Sequence, residues 1–124
     1  MQQKHILVVD DNKDLLFMIS SMLKIKGYQV SSLDNTDNIE TIVIQNTPDA
    51  ILMDMLLCGT DGREICRQLK SNKATSSIPI LMLSAHPQAE ENCLAAGADR
   101  FIEKPFEMEF LLNTLAEILY KQAY

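Results

Sequence analysis

Two things missing from this 124-residue chain limit what it can be: it has no long apolar run and no cluster of basic residues. The apolar stretch near its start, Ile6 to Val9 ahead of Asp10, is too short for a signal-peptide core or a membrane span. A soluble, cytoplasmic protein with no membrane partner is expected. Eleven Lys and Arg are scattered among seventeen Asp and Glu, for a net charge of −6. Direct nucleic-acid binding, which needs clustered cations facing phosphates, is therefore not expected. Cysteine is scarce as well. Cys58, Cys66 and Cys93 are odd in number and lack metal-ligand spacing, which speaks against a disulfide framework or a zinc site and for reduced thiols used in packing. No repeat, low-complexity stretch or linker interrupts the chain, so one domain over residues 1–124 is predicted. With 47% hydrophobic and 23% charged residues there is apolar material for a core, and disorder is not expected.

Apolar runs suited to buried parallel strands recur at Ile6–Val9, Ala50–Met53 and Ile80–Leu83, with weaker candidates at Gln29–Leu33 and Arg100–Ile102. Helical patterns lie between them. After Asp11, the positions Leu15, Met18, Ile19, Met22 and Leu23 follow one helix face, and Gly27 supplies a stop. Asp37 with Glu40, and Asp61 with Glu64, have the offset of a capping box and predict the starts of helices two and three. Pro87 suits the first position of helix four, which Gly97 would close. Met108, Leu111, Leu112, Leu115, Ile118 and Leu119 form the stripe of a fifth. Five strands alternating with five helices predict an α/β, flavodoxin-like (βα)5 three-layer sandwich with a parallel sheet of order 2-1-3-4-5. In such folds the ligand site lies beyond the carboxyl ends of the strands, near the switch point between strands one and three.

The polar residues at those ends are Asp10 and Asp11 after strand one, Asp54 after strand three, Ser84 after strand four and Lys104 after strand five. Three carboxylates brought together repel, by on the order of 4 kcal/mol for each pair at about 4 Å and an effective dielectric of roughly 20. They call for a cation. Magnesium suits hard carboxylate oxygens and shares its sphere readily with a phosphate. A carboxylate can then act as nucleophile on phosphorus, with a lysine ammonium and a hydroxyl neutralising the phosphoryl oxygens. Each residue alone has a plainer reading: Asp11 as a helix cap, Ser84 as a turn group, Lys104 as a surface lysine. Their coincidence at the ends of four strand patterns is the specific signal.

The pieces Asp10-Asp11 after Ile-Leu-Val-Val, Pro48 to Asp54, Asp61-Gly62, Pro79-Ile80, Ser84-Ala85, Gly97-Ala98-Asp99 and Lys104-Pro105-Phe106 resemble the receiver domains of two-component response regulators, from about Lys4 to about Tyr120. The resemblance implies that Asp54 is the phosphoacceptor. It implies a magnesium ion held by Asp10, Asp11, Asp54 and the backbone carbonyl of Leu56, with Ser84 and Lys104 binding the phosphoryl oxygens. The peptide before Pro105 is expected to be cis, aiming the lysine inward. Ser84 and Phe101 would form the switch that links this edge to the face of helix four, strand five and helix five. Implied partners are a histidine kinase or histidine phosphotransfer protein, a downstream effector or output domain on that face, and a phosphorylation-dependent second copy.

Two departures bear on behaviour. Cys58 stands where the family most often has proline, and Phe101 lacks a hydroxyl to bond on activation, so the ring either rotates inward or is simply packed. His5 and His86 are not read as phosphohistidine or metal sites; His86, two residues past Ser84, occupies a position that modulates phosphoryl lifetime in the family.

The chain could be the receiver piece of a longer DNA-binding regulator or hybrid sensor kinase. An aspartyl-phosphate phosphohydrolase would want an acid/base two residues beyond Asp54, where Leu56 stands. A flavin-binding protein would want backbone donors or hydroxyls where Asp10 and Asp11 stand. An enzyme acting on outside substrates is therefore not expected.

Overall fold

The computed structural model describes residues 3–57, 59–86 and 88–120. In chain order the elements are β1 (His5–Val9), α1 (Lys13–Ile25), β2 (Gln29–Leu33), α2 (Ile39–Asn46), β3 (Ala50–Asp54), β4 (Leu56–Leu57), β5 (Thr60–Asp61), α3 (Gly62–Ser71), β6 (Ile80–Ser84), α4 (Ala89–Ala95), β7 (Arg100–Glu103) and α5 (Met108–Tyr120). Five strands form one parallel sheet in the order β2-β1-β3-β6-β7. This is the expected 2-1-3-4-5 arrangement once the small antiparallel β4–β5 hairpin is set aside. Two-residue strands carry no periodicity to read, so the sequence alone does not predict this hairpin.

The central strands are apolar on both faces because helices cover both. Leu7 and Val9 of β1 face a core that includes Val43 of α2, Ile65 and Leu69 of α3, and Cys93 of α4. Ile6 and Val8 point the other way, into a core with Ile19 and Leu23 of α1 and Leu111 and Leu115 of α5. Alternation along a strand thus feeds two separate cores, and each fully buried Leu or Ile contributes roughly 1.5–3 kcal/mol.

Helix ends match the expectations unevenly. Gly27 (φ 97°) and Gly97 (φ 110°) follow α1 and α4 in left-handed conformations, as helix stops should. The Asp37–Glu40 box does not form: α2 begins after Asn38, which is itself left-handed (φ 57°) and makes no side-chain cap, while the Asp37 amide donates to Asn35 Oδ1. A side-chain bond local to the Asn35–Asp37 turn replaced the cap. Asp61 does cap α3, accepting from the Arg63 amide at 2.9 Å, but Glu64 turns along the helix to Arg67 instead of back to Asp61. Helix α4 starts at Ala89, and Pro87, expected at its first position, lies outside the described residues.

Two features fix the frame around the carboxyl edge. A Cβ on Gly62 would lie 2.6 Å from the Asp54 carbonyl oxygen and 2.9 Å from that of Met55. Only glycine lets α3 begin this close to the end of β3. Asp99 Oδ2 accepts from the Ile80 amide and from Lys70 Nζ, each at 2.8 Å, tying the start of β6 to the start of β7. Cys66 and Cys93 are free and buried, as packing residues should be, and burial pushes the Cys66 thiol up to about 11. Cys58 lies outside the described residues.

Candidate functional site

The carboxyl ends of β1, β3, β6 and β7 gather the ionisable residues picked out from sequence. Asp10, Asp11 and Asp54 each bring a carboxylate oxygen within 4.8 Å of the others'. Asp10 is 1% exposed. Its Oδ1 accepts from the Asn12 amide at 2.9 Å, whereas its Oδ2 is buried with no hydrogen-bond partner. A buried oxygen left in that state is costly unless a cation satisfies it. The ammonium of Lys104 is 3.6 Å from it, too long for a hydrogen bond, and 2.9 Å from Asp54 Oδ1.

Asp11 is exposed and does not cap the helix. That role falls to Asn12, whose side chain accepts from the Leu15 amide at 3.1 Å, so Asp11 stays with the acidic group. The order Asp-Asp-Asn before an apolar helical stripe carried this signal, since the residue next to the helix is the natural cap.

Burial pushes the Asp54 carboxyl above its ordinary value; the Lys104 hydrogen bond and charge work against that shift, and Asp10 and Asp11 add to it. The Lys104–Pro105 peptide is cis, as the resemblance implied. Ser84 is buried, its Oγ accepting from the His86 amide at 3.0 Å, and the Lys104 amide donates to the Ser84 carbonyl at 2.8 Å. Asp54, Leu56, Ser84, Ala85, His86 and Lys104 together line an open depression of about 440 Å³. Leu56 lies at its rim with 61% of the side chain's residue surface exposed.

Phe101 is not part of this depression. It is half-buried on β7 opposite Met82 and packs against the core of the α2–α4 side. His5 is at the far end of β1, its Nε2 2.7 Å from Ser31 Oγ, well away from the carboxyl edge. His86 belongs to the lining, two residues past Ser84, where the resemblance places a residue that modulates phosphoryl lifetime. A larger cleft of about 570 Å³ between α1 and α5 is lined by Met22, Tyr28, Met108 and Tyr120, among others. It gathers no comparable set of carboxylates, so the acidic edge is the better candidate for chemistry.

The arrangement offers a half-buried carboxylate, a cation on it, a buried hydroxyl beside it and two further carboxylates compatible with a metal site. Among the described residues no helix is long and apolar enough to cross a membrane. The sequence profile of the family described as the response regulator receiver domain matches residues 6–116. Among curated proteins, the phosphate regulon transcriptional regulatory protein PhoB of Pseudomonas aeruginosa is 37% identical over 118 residues, covering 94% of this chain and 52% of that protein. This chain spans about half the length of the curated relatives it matches. Among solved structures, the chemotaxis response regulator CheY4 of Vibrio cholerae superposes with a TM-score of 0.87 at 28% identity, covering 95% of this chain and 100% of that one. The receiver domain of the sensor histidine kinase PA1611 from Pseudomonas aeruginosa, solved with a magnesium ion coordinated in its active-site cleft, gives 0.86 at 30% identity, covering 95% and 98%. With its fold, its acidic edge and its sequence profile in agreement, this chain belongs to the response regulator receiver domain family.

Proposed function

We propose that residues 1–124 form one receiver unit of a two-component phosphorelay that accepts a phosphoryl group on Asp54 from a histidine kinase or histidine phosphotransfer protein. The observation that carries this reading is the 2.9 Å contact of Lys104 Nζ with Asp54 Oδ1 inside a set of three clustered carboxylates. An Asp54 oxygen attacks phosphorus as the bond from phosphorus to the donor's nitrogen breaks, and that nitrogen keeps the electron pair. Lys104 then exchanges its contact with the carboxylate for one with a phosphoryl oxygen, and the Ser84 hydroxyl donates to another.

The donor set fits magnesium: hard carboxylate oxygens, one of them buried without a hydrogen bond. Asp10, Asp11, Asp54 and the Leu56 backbone carbonyl would hold the ion, which when bound neutralises the charge gathered around the phosphoryl group. Ser84 and Phe101 carry the change toward α4, β7 and α5, where an effector or output domain binds; phosphorylation shifts the face only as far as it favours one conformation over another. No general acid or base stands at Leu56, which supports self-modification over turnover of outside phosphoesters. The absence of a membrane-spanning helix among the described residues agrees with action in the cytoplasm.

Incubation with acetyl phosphate and magnesium should add one phosphoryl mass to the wild type and none to Asp54→Asn. Equal labelling of the variant would remove Asp54 from this role, and undiminished labelling in EDTA would remove the metal. A second reading, that this unit is the receiver of a longer DNA-binding regulator, is favoured by the twofold length of relatives such as PhoB. The reading frame beyond Tyr124 decides it.

A further inference from the structure

The short hairpin beside the acidic edge decides where the Leu56 carbonyl points. Leu56 of β4 pairs with Asp61 of β5, and Leu57 pairs with Thr60. The Gly62 amide donates to the Met55 carbonyl at 2.6 Å, so Met55 and Gly62 are bonded on one side of the Leu56–Asp61 pair. Bonded and non-bonded pairs alternate along an antiparallel ladder, which makes Leu56–Asp61 a non-bonded pair. The Leu56 carbonyl is therefore not taken up by β5 and points out of the hairpin. In such a pair the two side chains lie close together on one face.

Strands of two residues hold little by themselves. Leu57 is buried in the core and fixes one end of the Leu56–Leu57 peptide. Leu56 is mostly exposed, so the other end depends on Asp61 opposite it. Asp61 is held in turn by Arg63. Its Oδ1 accepts from the Arg63 amide and from Nε, both at 2.9 Å, and its Oδ2 accepts from Nη2 at 2.7 Å and from Nε at 3.1 Å. A planar guanidinium on a carboxylate fixes direction as well as distance. Asp61 both ends β5 and caps α3, so this fork fixes the junction from which the hairpin extends.

We infer that Arg63 is a positioning residue for magnesium: through Asp61 it holds the Leu56 carbonyl where the ion needs a fourth protein oxygen. The inference rests on the proposed metal set of Asp10, Asp11, Asp54 and Leu56. Magnesium tolerates little departure from octahedral geometry, so a carbonyl that wanders is a weaker ligand. Charge alone predicts the reverse. Removing the Arg63 cation also leaves Asp61 unpaired, and both changes draw a divalent cation more strongly. The sign of the effect separates positioning from electrostatics.

The test titrates magnesium chloride into isotopically labelled wild type, Arg63→Leu and Arg63→Lys, reading affinity from the amide shifts of Asp10 and Asp54. Arg63→Leu should bind at least about threefold more weakly, as loss of a ligand's outer partner does. Arg63→Lys keeps the charge without the fork and should bind with an affinity between the other two. The Leu57 nitrogen belongs to the same peptide as the Leu56 carbonyl, so its magnesium-induced shift should shrink in Arg63→Leu. In Asp61→Asn the charged fork is already lost, and adding Arg63→Leu there should change affinity by less than about twofold. Melting in EDTA checks that each variant is folded. Should Arg63→Leu fail to fold, Arg63→Lys carries the test, since it too lacks the fork and should bind more weakly than wild type.

Equal or tighter binding by a folded Arg63→Leu, an undiminished Leu57 shift, or the full loss of affinity in the Asp61→Asn background would each overturn the inference and leave the metal reading standing. Wild-type amides at Asp10 and Asp54 that do not respond to magnesium would defeat the metal reading, and the inference with it.

Discussion

Lys104 Nζ sits 2.9 Å from Asp54 Oδ1, yet burial still holds the Asp54 carboxyl above its ordinary value. One ammonium thus offsets only part of the cost of keeping this carboxylate charged beside Asp10 and Asp11. The acidic edge is electrostatically unfavourable as it stands, which is the condition under which a divalent cation or a change in charge has a large effect.

Replacing Asp54 by Asn should therefore stabilise the metal-free protein near neutral pH. A carboxyl raised in the folded state contributes stability below its unfolded value and loses it as pH rises through the folded value. The amide carries no charge to desolvate and avoids that loss. The gain should be on the order of 1 kcal/mol in thermal unfolding with EDTA. It should shrink or reverse in magnesium, because the wild type keeps the stronger cation site. Equal unfolding midpoints for the two proteins in EDTA would contradict the argument.

Leu56 should lengthen the life of the phosphorylated form. Its exposed side chain walls the depression that holds Asp54 and offers no hydrogen bond to an attacking water. Leu56→Asn should shorten the lifetime, by about tenfold if the amide orients water as an active-site hydrogen bond can. Phosphate release from isolated, phosphorylated protein at one temperature measures it. An unchanged or longer lifetime in a folded variant would defeat the proposal.

Gly62→Ala should be costly although glycine is usually a liability at a helix start. The added methyl meets the carbonyl oxygens of Asp54 and Met55, both backbone, at distances no side-chain rotation can relieve. A destabilisation of about 1–3 kcal/mol is expected from such overpacking. Acetyl phosphate labelling should slow as well, since the shift falls on the peptide that carries Asp54. Denaturant unfolding and labelling kinetics on one preparation would report both.

The Arg63 guanidinium beside Asp61 holds that carboxyl below its ordinary value. A lowered carboxyl contributes stability above its unfolded value, near 3.9, and loses it as pH falls through the folded value. Asp61→Asn keeps an acceptor for the Arg63 amide but has no charge to lose. Its stability should run slightly below wild type at pH 7 and converge on it toward pH 2. Because the Asp61 side chain is more than a third exposed, solvent screening should keep the gap at pH 7 small. A gap that widens in acid would reverse the sign of the argument.

The residues that make up the acidic edge were legible in the chain itself, and the reason is local. A strand buried on both faces needs an uninterrupted apolar run, so the polar residues that end such runs, Asp10, Asp54 and Ser84, mark the carboxyl edge of a parallel sheet, and Lys104 follows the weaker outer strand. The parallel sheet followed from the same runs, because parallel neighbours must be joined through helices, while the order came from the flavodoxin-like pattern. Other features depended on contacts between distant segments. Whether Asp37 or Asn38 opens α2 turned on a competing bond to Asn35, which a capping pattern cannot rank. The burial of Asp10 Oδ2 without a hydrogen bond, 3.6 Å from Lys104, is set by the meeting of distant segments, and the need for glycine at position 62 exists because α3 starts against the end of β3. Likewise, Arg100 and Glu117 are seventeen residues apart in the chain, and only the packing of α5 beside β7 joins them. Sequence determines which groups a strand can deliver to its end; burial and pairing among those groups depend on which other segments arrive there, and that is a property of the folded chain alone.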